Sequence, residues 1–234
     1  MTPTCRTDRA LHALWLLDAR DVSGTTLARV EGWLSASERA RWATQTRSPR
    51  REQFLLGRAL LRLAIAESVG RAPAEIDATE VADRPPTVTV PRGATPWFSL
   101  SHSHHWIACA VSSASAIGVD VEVLDAKRDV VALSEWRFHR EEHAWLLQQP
   151  ERSKAFYRLW TGKEAMVKLR SQLLMSAELG DVRFEVSGAE LRAPPPAKCW
   201  HSWLSGGELA VSVVGASRLA APVVRHIGAL RLGL

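Results

Sequence analysis

Two stretches of this 234-residue chain, 34–65 and 138–169, can be laid over each other at a shift of about 104 residues. Each follows a strand and a charged turn, opens on a helix start with acids, and runs into a long helix carrying Phe and Gly. A unit used twice leaves few folds open. The expectation is an α/β (α+β) protein of two similar lobes, 1–112 and 113–234, related by a pseudo-two-fold. On the overlay, Gly57-Arg58-Ala59 falls near Gly162-Lys163-Glu164, so only the second half puts a carboxylate at the Glu164 position. A single active site would then draw its acids mainly from the second half.

The elements follow from pattern. Ala13-Leu14-Trp15-Leu16-Leu17 is a continuous apolar run and predicts a buried strand. A helix starts after Leu34 with Ser35 or Ser37 as cap, and Ser48-Pro49 marks a second start. Phe54, Leu55, Ala59, Leu61, Leu63 and Ala66 recur with helical spacing until Gly70, a natural terminator. Strands are expected at 87–90, 97–101 and 107–111, the last two as a hairpin, and again at 117–123, 180–186 and 209–214. Helical patterning begins near Val130, restarts near His139, and is strong over 156–169. Ala193-Pro194-Pro195-Pro196 is a loop.

Composition narrows the function classes. Hydrophobic residues make up 46% and there are ten Trp, enough for a sizeable core. The net charge is +5, and Arg far outnumbers the five lysines, Lys127, Lys154, Lys163, Lys168 and Lys198. Arg suits bidentate contact with phosphate or carboxylate, so a nucleotide, a nucleic acid or an acidic protein are candidate partners. No helix-turn-helix, zinc-finger or aromatic RNA-binding signature supports the nucleic acid. Cys5, Cys109 and Cys199 are odd in number and scattered, which fits a reducing compartment better than a disulfide framework. Arg6, Asp8 and Arg9 precede a short apolar stretch broken by His12, which is not signal-peptide order. No run approaches the roughly 20 apolar residues that span a bilayer. A cytoplasmic protein with no membrane contact is the expectation.

Three segments carry chemistry. In a strand at 117–123, Ile117, Val119, Val121 and Val123 share one face, and Gly118, Asp120 and Glu122 share the other. Two carboxylates so spaced are about 6–7 Å apart and repel unless a cation or water intervenes. Hard oxygen ligands suit magnesium with a substrate phosphate, and Gly118 leaves room for a close approach to the backbone. An ordinary solvated strand face is the alternative. On a helix, Trp160, Glu164 and Lys168 form one stripe, readable as a carboxylate and ammonium beside an aromatic wall or as a surface ion pair. In Phe98-Ser99-Leu100-Ser101-His102-Ser103-His104-His105, hydroxyls and imidazoles can donate to phosphate. His102 and His104 could also begin a zinc site, but no further Cys or His stands at a spacing to complete it.

Taken together, Ser101-His102-Ser103, Gly118-Val119-Asp120-Val121-Glu122, Trp160, Lys163-Glu164-Ala165 and Lys168 match a known pattern in order and spacing. The chain resembles the 4′-phosphopantetheinyl transferases, and within them the long two-lobed type that activates peptide and polyketide synthases. The resemblance implies that fold and a magnesium-dependent transfer of 4′-phosphopantetheine from coenzyme A to a serine of an acidic apo carrier protein. It implies metal binding by Asp120, Glu122 and Glu142, with Glu141 as the fallback for the third acid. It makes Glu164 the general base, and it puts Lys168 on the phosphates. Arg84, Ser101, His102 and Trp160 match positions that contact coenzyme A or wall its site. Arg39, Arg41, Arg47, Arg50, Arg51, Arg58 and Arg62 are candidates to steer the carrier. Long members of the family are usually monomers. The chain departs from the family pattern at Asp83, where Gly is usual, and over 169–175, where a Gly-rich stretch is usual. Competing expectations are a basic nucleic-acid-binding module and an inactive relative that only binds a carrier.

Overall fold

A computed structural model gives the structure of the protein and describes residues 12–81, 84–175, 178–216 and 218–228. Cys5, Arg6, Asp8, Arg9 and Asp83 lie outside them. Strand β1 (His12–Asp18) is buried at all seven positions. Its apolar run has no polar face because both faces are covered. Ala13, Trp15 and Leu17 face one core and Leu14 and Leu16 face another. Helices α1 (Gly24–Glu31), α2 (Ala36–Ala43) and α3 (Ser48–Val69) follow. The start of α2 is a capping box, with Ser35 as cap and Glu38 closing it. Arg47, not Ser48, holds the cap position of α3, with Pro49 just inside, and Gly70 ends the helix at φ +69°.

A small hairpin, β2 (Asp77–Thr79) and β3 (Thr87–Thr89), leads to the longer hairpin of β4 (Trp97–Ser103) and β5 (Trp106–Ser112). Strand β6 (Ile117–Val123) opens the second half, followed by α4 (Val130–Arg137), α5 (Arg140–Leu147) and α6 (Arg152–Gln172). Then come β7 (Glu185–Ser187), β8 (Glu190–Arg192), β9 (Ala197–Leu204), β10 (Leu209–Ala216) and β11 (Val223–His226).

The expected repeat is present in the element bounds. Helix α5 begins and ends 104 residues after α2, and α6 begins 104 residues after α3 (140 − 36, 147 − 43, 152 − 48). Strands β1 and β5 have their counterparts in β6 and β10. One sheet runs β11-β1-β5-β4 and the other β6-β10-β9. Helix α3 covers the outer face of the first, and α6 that of the second. Between the sheets lies a third core, where Leu14, Leu16, Ala108 and Ala110 meet Val119, Val121, Val211 and Val213. The layers are therefore helix, sheet, sheet, helix. The last strand, β11, pairs in parallel with β1 and so returns the chain's end to the first sheet.

Two local expectations are corrected. The strand expected at 180–186 is a 3-10 turn at Leu179–Asp181 followed by β7. The alternation of buried Val182 and Phe184 mimics a strand, but side chains take their backbone groups. Lys163 donates to the Val182 carbonyl, and Phe184 N donates to Glu142. The space expected over Gly118 is filled by α6. A Cβ on Gly118 would stand 1.9 Å from the Ala165 carbonyl oxygen, so this glycine admits a helix and not a ligand. Among the described residues no helix is long and apolar enough to cross a membrane.

Candidate active site

A cavity of about 700 Å³ opens between the two halves. The first half contributes Arg41, Arg50, Arg58 and Arg84 with Ser101 and His102 from β4, and the second contributes Asp120, Glu122, Trp160, Glu164 and Lys168. The carboxylates and the lysine stand where β6 passes under α6. Gly118 fixes that crossing, and the residues that follow it on the same strand face are the two acids.

Asp120 is only 6% exposed. Its Oδ1 accepts from Ser101 Oγ at 2.7 Å and from Lys168 Nζ at 2.7 Å. Its Oδ2 is buried with no hydrogen-bond partner among the described residues. The solvated-face alternative therefore fails. Glu122 is half-buried and accepts from Ser103 Oγ at 2.8 Å. Burial raises its pKa and the charge of Asp120 adds to the rise, while Ser103, Arg128 and Lys168 oppose it. Glu164 is raised by burial first and then by the charges of Asp120 and Glu122, with Lys168 and Arg137 opposing. The three acids thus feel one another. Lys168 also donates to the Val119 carbonyl at 3.0 Å, and its ion pair is with Asp120, not with Glu164 one turn away. Glu164 makes no hydrogen bond or ion pair among the described residues. Trp160 stacks on Phe156 with ring centroids 5.5 Å apart, which holds its ring as a wall.

On the other side, His102 is on the cavity face of β4, where partial enclosure first and then Arg50 lower its pKa. Arg50 and Arg84 are exposed and enter no ion pair among the described residues. Arg58 and Arg41 are held by Glu80, at 2.6 and 2.8 Å. Arg62 is 2% exposed and bound to Glu38 at 2.6 Å, so it is interior and not a carrier contact. The basic surplus is thus partly spent inside the protein.

The structure does not bring Glu142 to this cavity. It is fully buried, and both its oxygens are used. Oε2 accepts from Lys163 Nζ at 2.6 Å and from His139 N at 2.9 Å, and Oε1 accepts from Phe184 N at 2.8 Å. Glu141 is exposed and paired with Arg183 at 2.8 Å. The signal was present in the sequence. His139 and Glu142 have the spacing of a capping box, as do Ser35 and Glu38 at the equivalent place in the first half. Glu38 is as buried as Glu142 and equally committed to a cation of its own half. Sequence reasoning also missed Ser103, whose bond to Glu122 needs the packing of β4 against β6, and Arg50 as a cavity residue.

The donors at the site suit a small hard cation. Asp120 Oδ2 is an orphaned buried acceptor, costly unless something meets it. Among the described residues no three ligating side chains enclose an ion by themselves. An ion there would take further oxygens from a ligand or water, which is how magnesium is usually held.

Comparison with known proteins agrees with this picture. Residues 116–214 match the family model of the 4′-phosphopantetheinyl transferase superfamily. The chain is 42% identical over 76 residues to the 4′-phosphopantetheinyl transferase AcpT of Salmonella typhi, covering 32% of this chain and 40% of that protein. It is 37% identical over 139 residues to the 4′-phosphopantetheinyl transferase psf-1 of Bacillus pumilus, covering 58% and 54%. It is 28% identical over 191 residues to the 4′-phosphopantetheinyl transferase HetI of Nostoc sp., covering 80% and 79%. The chain spans about half the length of the first two. These matches bear out the resemblance read from the sequence.

Proposed function

We propose that this chain, whose residues 116–214 match the 4′-phosphopantetheinyl transferase superfamily, moves 4′-phosphopantetheine from coenzyme A to a serine hydroxyl of an apo carrier protein. Adenosine 3′,5′-bisphosphate is the product released. The observation that carries the reading is the meeting of Asp120, Glu122, Glu164 and Lys168 in a cavity whose other wall carries Arg50 and Arg84. A diphosphate with a further phosphate on its ribose needs cationic groups at both ends, and this cavity offers them.

The roles follow from the partners each group has and lacks. Arg50, Arg84 and His102 donate to phosphate oxygens at the nucleotide end. Lys168, steadied by Asp120 and the Val119 carbonyl, donates to the diphosphate and offsets charge as the anhydride P–O bond breaks. Asp120 and Glu122 would hold magnesium, and Glu164, the third carboxylate of the cavity, is left free of it to act as a base. Bound there, magnesium supplies Lewis-acid neutralisation of the diphosphate oxygens. Glu164 accepts the proton of the incoming serine as its oxygen bonds to phosphorus and the adenosine bisphosphate oxygen departs. Burial raises its pKa, which strengthens it as a base. Trp160 and the apolar stack behind it keep water from the reacting phosphorus.

The test is mass spectrometry of a purified apo carrier incubated with this protein, coenzyme A and magnesium. Gain of one phosphopantetheine, abolished by EDTA, is expected. Carriers of several pathways that all stay unmodified, with coenzyme A bound, would reduce the protein to a binding relative.

A further inference from the structure

Strands β4 and β6 are edge strands of different sheets, and no backbone ladder joins them. Three serines at alternate positions of β4 do so instead. Ser99 Oγ accepts from Val119 N at 3.1 Å, Ser101 Oγ from Val121 N at 3.4 Å, and Ser103 Oγ from Val123 N at 3.1 Å. All three serines are buried. A hydroxyl has one proton and two lone pairs. With its oxygen accepting from the backbone, each serine has its proton left to give. Ser101 gives it to Asp120 Oδ1 and Ser103 gives it to Glu122 Oε2. Ser99 has no carboxylate to meet, because the residue at the corresponding place on β6 is Gly118.

The consequence is that each acid has one oxygen tied and one to offer. Oδ1 of Asp120 is tied twice, by Ser101 and Lys168, while Oδ2 is nine-tenths buried, unpaired and open to a ligand. Oε2 of Glu122 is tied by Ser103, and Oε1 has no hydrogen bond among the described residues. We propose that Ser101 and Ser103 are positioning residues that present Asp120 and Glu122 to a cation through a single oxygen each, and that this makes the site discriminate a small octahedral cation from a larger one. The inference rests on the cation reading given above. Magnesium accepts one oxygen per carboxylate in a tight octahedron, whereas calcium takes about six to eight oxygens and commonly both of a carboxylate. For calcium to use both oxygens here, it would have to compete with a buried serine proton for the tied oxygen.

Calorimetric titration of the full chain with magnesium chloride and with calcium chloride, in the presence of coenzyme A, tests this on Ser99→Ala, Ser101→Ala, Ser103→Ala and Ser103→Thr. Ser103→Ala is expected to weaken magnesium about tenfold, as loss of a ligand's supporting hydrogen bond does, and to leave calcium unchanged or tighter. Ser101→Ala shifts the same ratio by less, because Lys168 still ties Oδ1. Ser103→Thr keeps the hydroxyl and is expected to restore the wild-type ratio. Ser99→Ala loses an equivalent backbone bond and some thermal stability, yet keeps the ratio. Wild-type ratios in Ser101→Ala and Ser103→Ala, or an equal shift in Ser99→Ala, would make the serines structural only and overturn the proposal. A wild-type protein that takes up neither cation would instead overturn the cation site itself.

Discussion

The two halves are built on one frame and use it differently. In each, a short helix is capped by a box whose glutamate, Glu38 or Glu142, turns fully inward. In each, a base on the following long helix meets it, Arg62 from α3 and Lys163 from α6. That buried pair is the shared structural device. The difference lies on the cavity side. Helix α3 offers Arg50 and Arg58, and α6 offers Trp160, Glu164 and Lys168. Strand β1 is apolar between its end residues His12 and Asp18, while its counterpart β6 carries Gly118, Asp120 and Glu122 on the face that meets α6. One copy of the unit lines the cavity with arginines, and the other gathers carboxylates around one lysine. A duplicated frame can divide its labour in this way because the buried pair and the cores hold each half together without the cavity residues.

The sharpest break in this comparison is Glu142→Ala. If Glu142 and Glu38 are equivalent structural acids, each alanine leaves a buried cation unpaired and costs about 3–5 kcal/mol. Chemical denaturation should give similar losses for both. A folded Glu142→Ala protein with wild-type stability and lost cation binding would return Glu142 to the metal site. Next is Gly118→Ala, which drives a Cβ into the α6 backbone. It should destabilise the second half by about 1–3 kcal/mol or more, read as an earlier denaturation midpoint. A neutral result would mean that α6 can move off β6.

A smaller effect separates grip from chemistry. Arg50→Ala removes a charge-assisted contact and should raise the KM for coenzyme A about tenfold, with kcat nearly unchanged. A fall in kcat at constant KM would place Arg50 with the reacting atoms. The smallest effect is one of stability. Folding raises the pKa of Glu164 and of Glu122, so the folded state binds protons more tightly there. Their contribution is most favourable below the ordinary glutamate range and is lost as pH rises through the folded values. Without added cation, Glu164→Gln should therefore melt slightly higher than wild type at pH 7, and the gain should vanish as the pH falls toward 4.5. No gain at neutral pH would mean that Glu164 is not strained by its neighbours.

Much of this was legible in the chain. The repeat could be read because helix caps recur in register and Phe and Gly recur near it, and these are local signals. Strands 117–123 and 209–214 and the hairpin of β4 and β5 were equally local. The acids Asp120, Glu122 and Glu164 and Lys168 were named in advance, and the structure brings them together. What was hidden depends on partners far along the chain. Gly118 looked like space because Ala165 is nearly fifty residues away. The segment at 180–186 looked like a strand because buried alternation does not reveal that Lys163 and Glu142 take its backbone bonds. Glu142 was expected as a ligand from the resemblance alone, and whether an acid in a helix's first turn faces outward or caps inward is decided by packing. β9 and β11 were missed because one is half-buried at all positions but Lys198 and the other short and largely exposed.

Turnover by Glu164→Gln, followed as transfer of phosphopantetheine to an apo carrier at saturating coenzyme A and magnesium, tests the division of labour most directly. The account predicts a folded protein that still binds coenzyme A through the first half, with kcat lower by about 100- to 10,000-fold. Wild-type kcat in that variant would contradict it, because the second half's carboxylates would then be scaffolding and the chemistry would lie elsewhere.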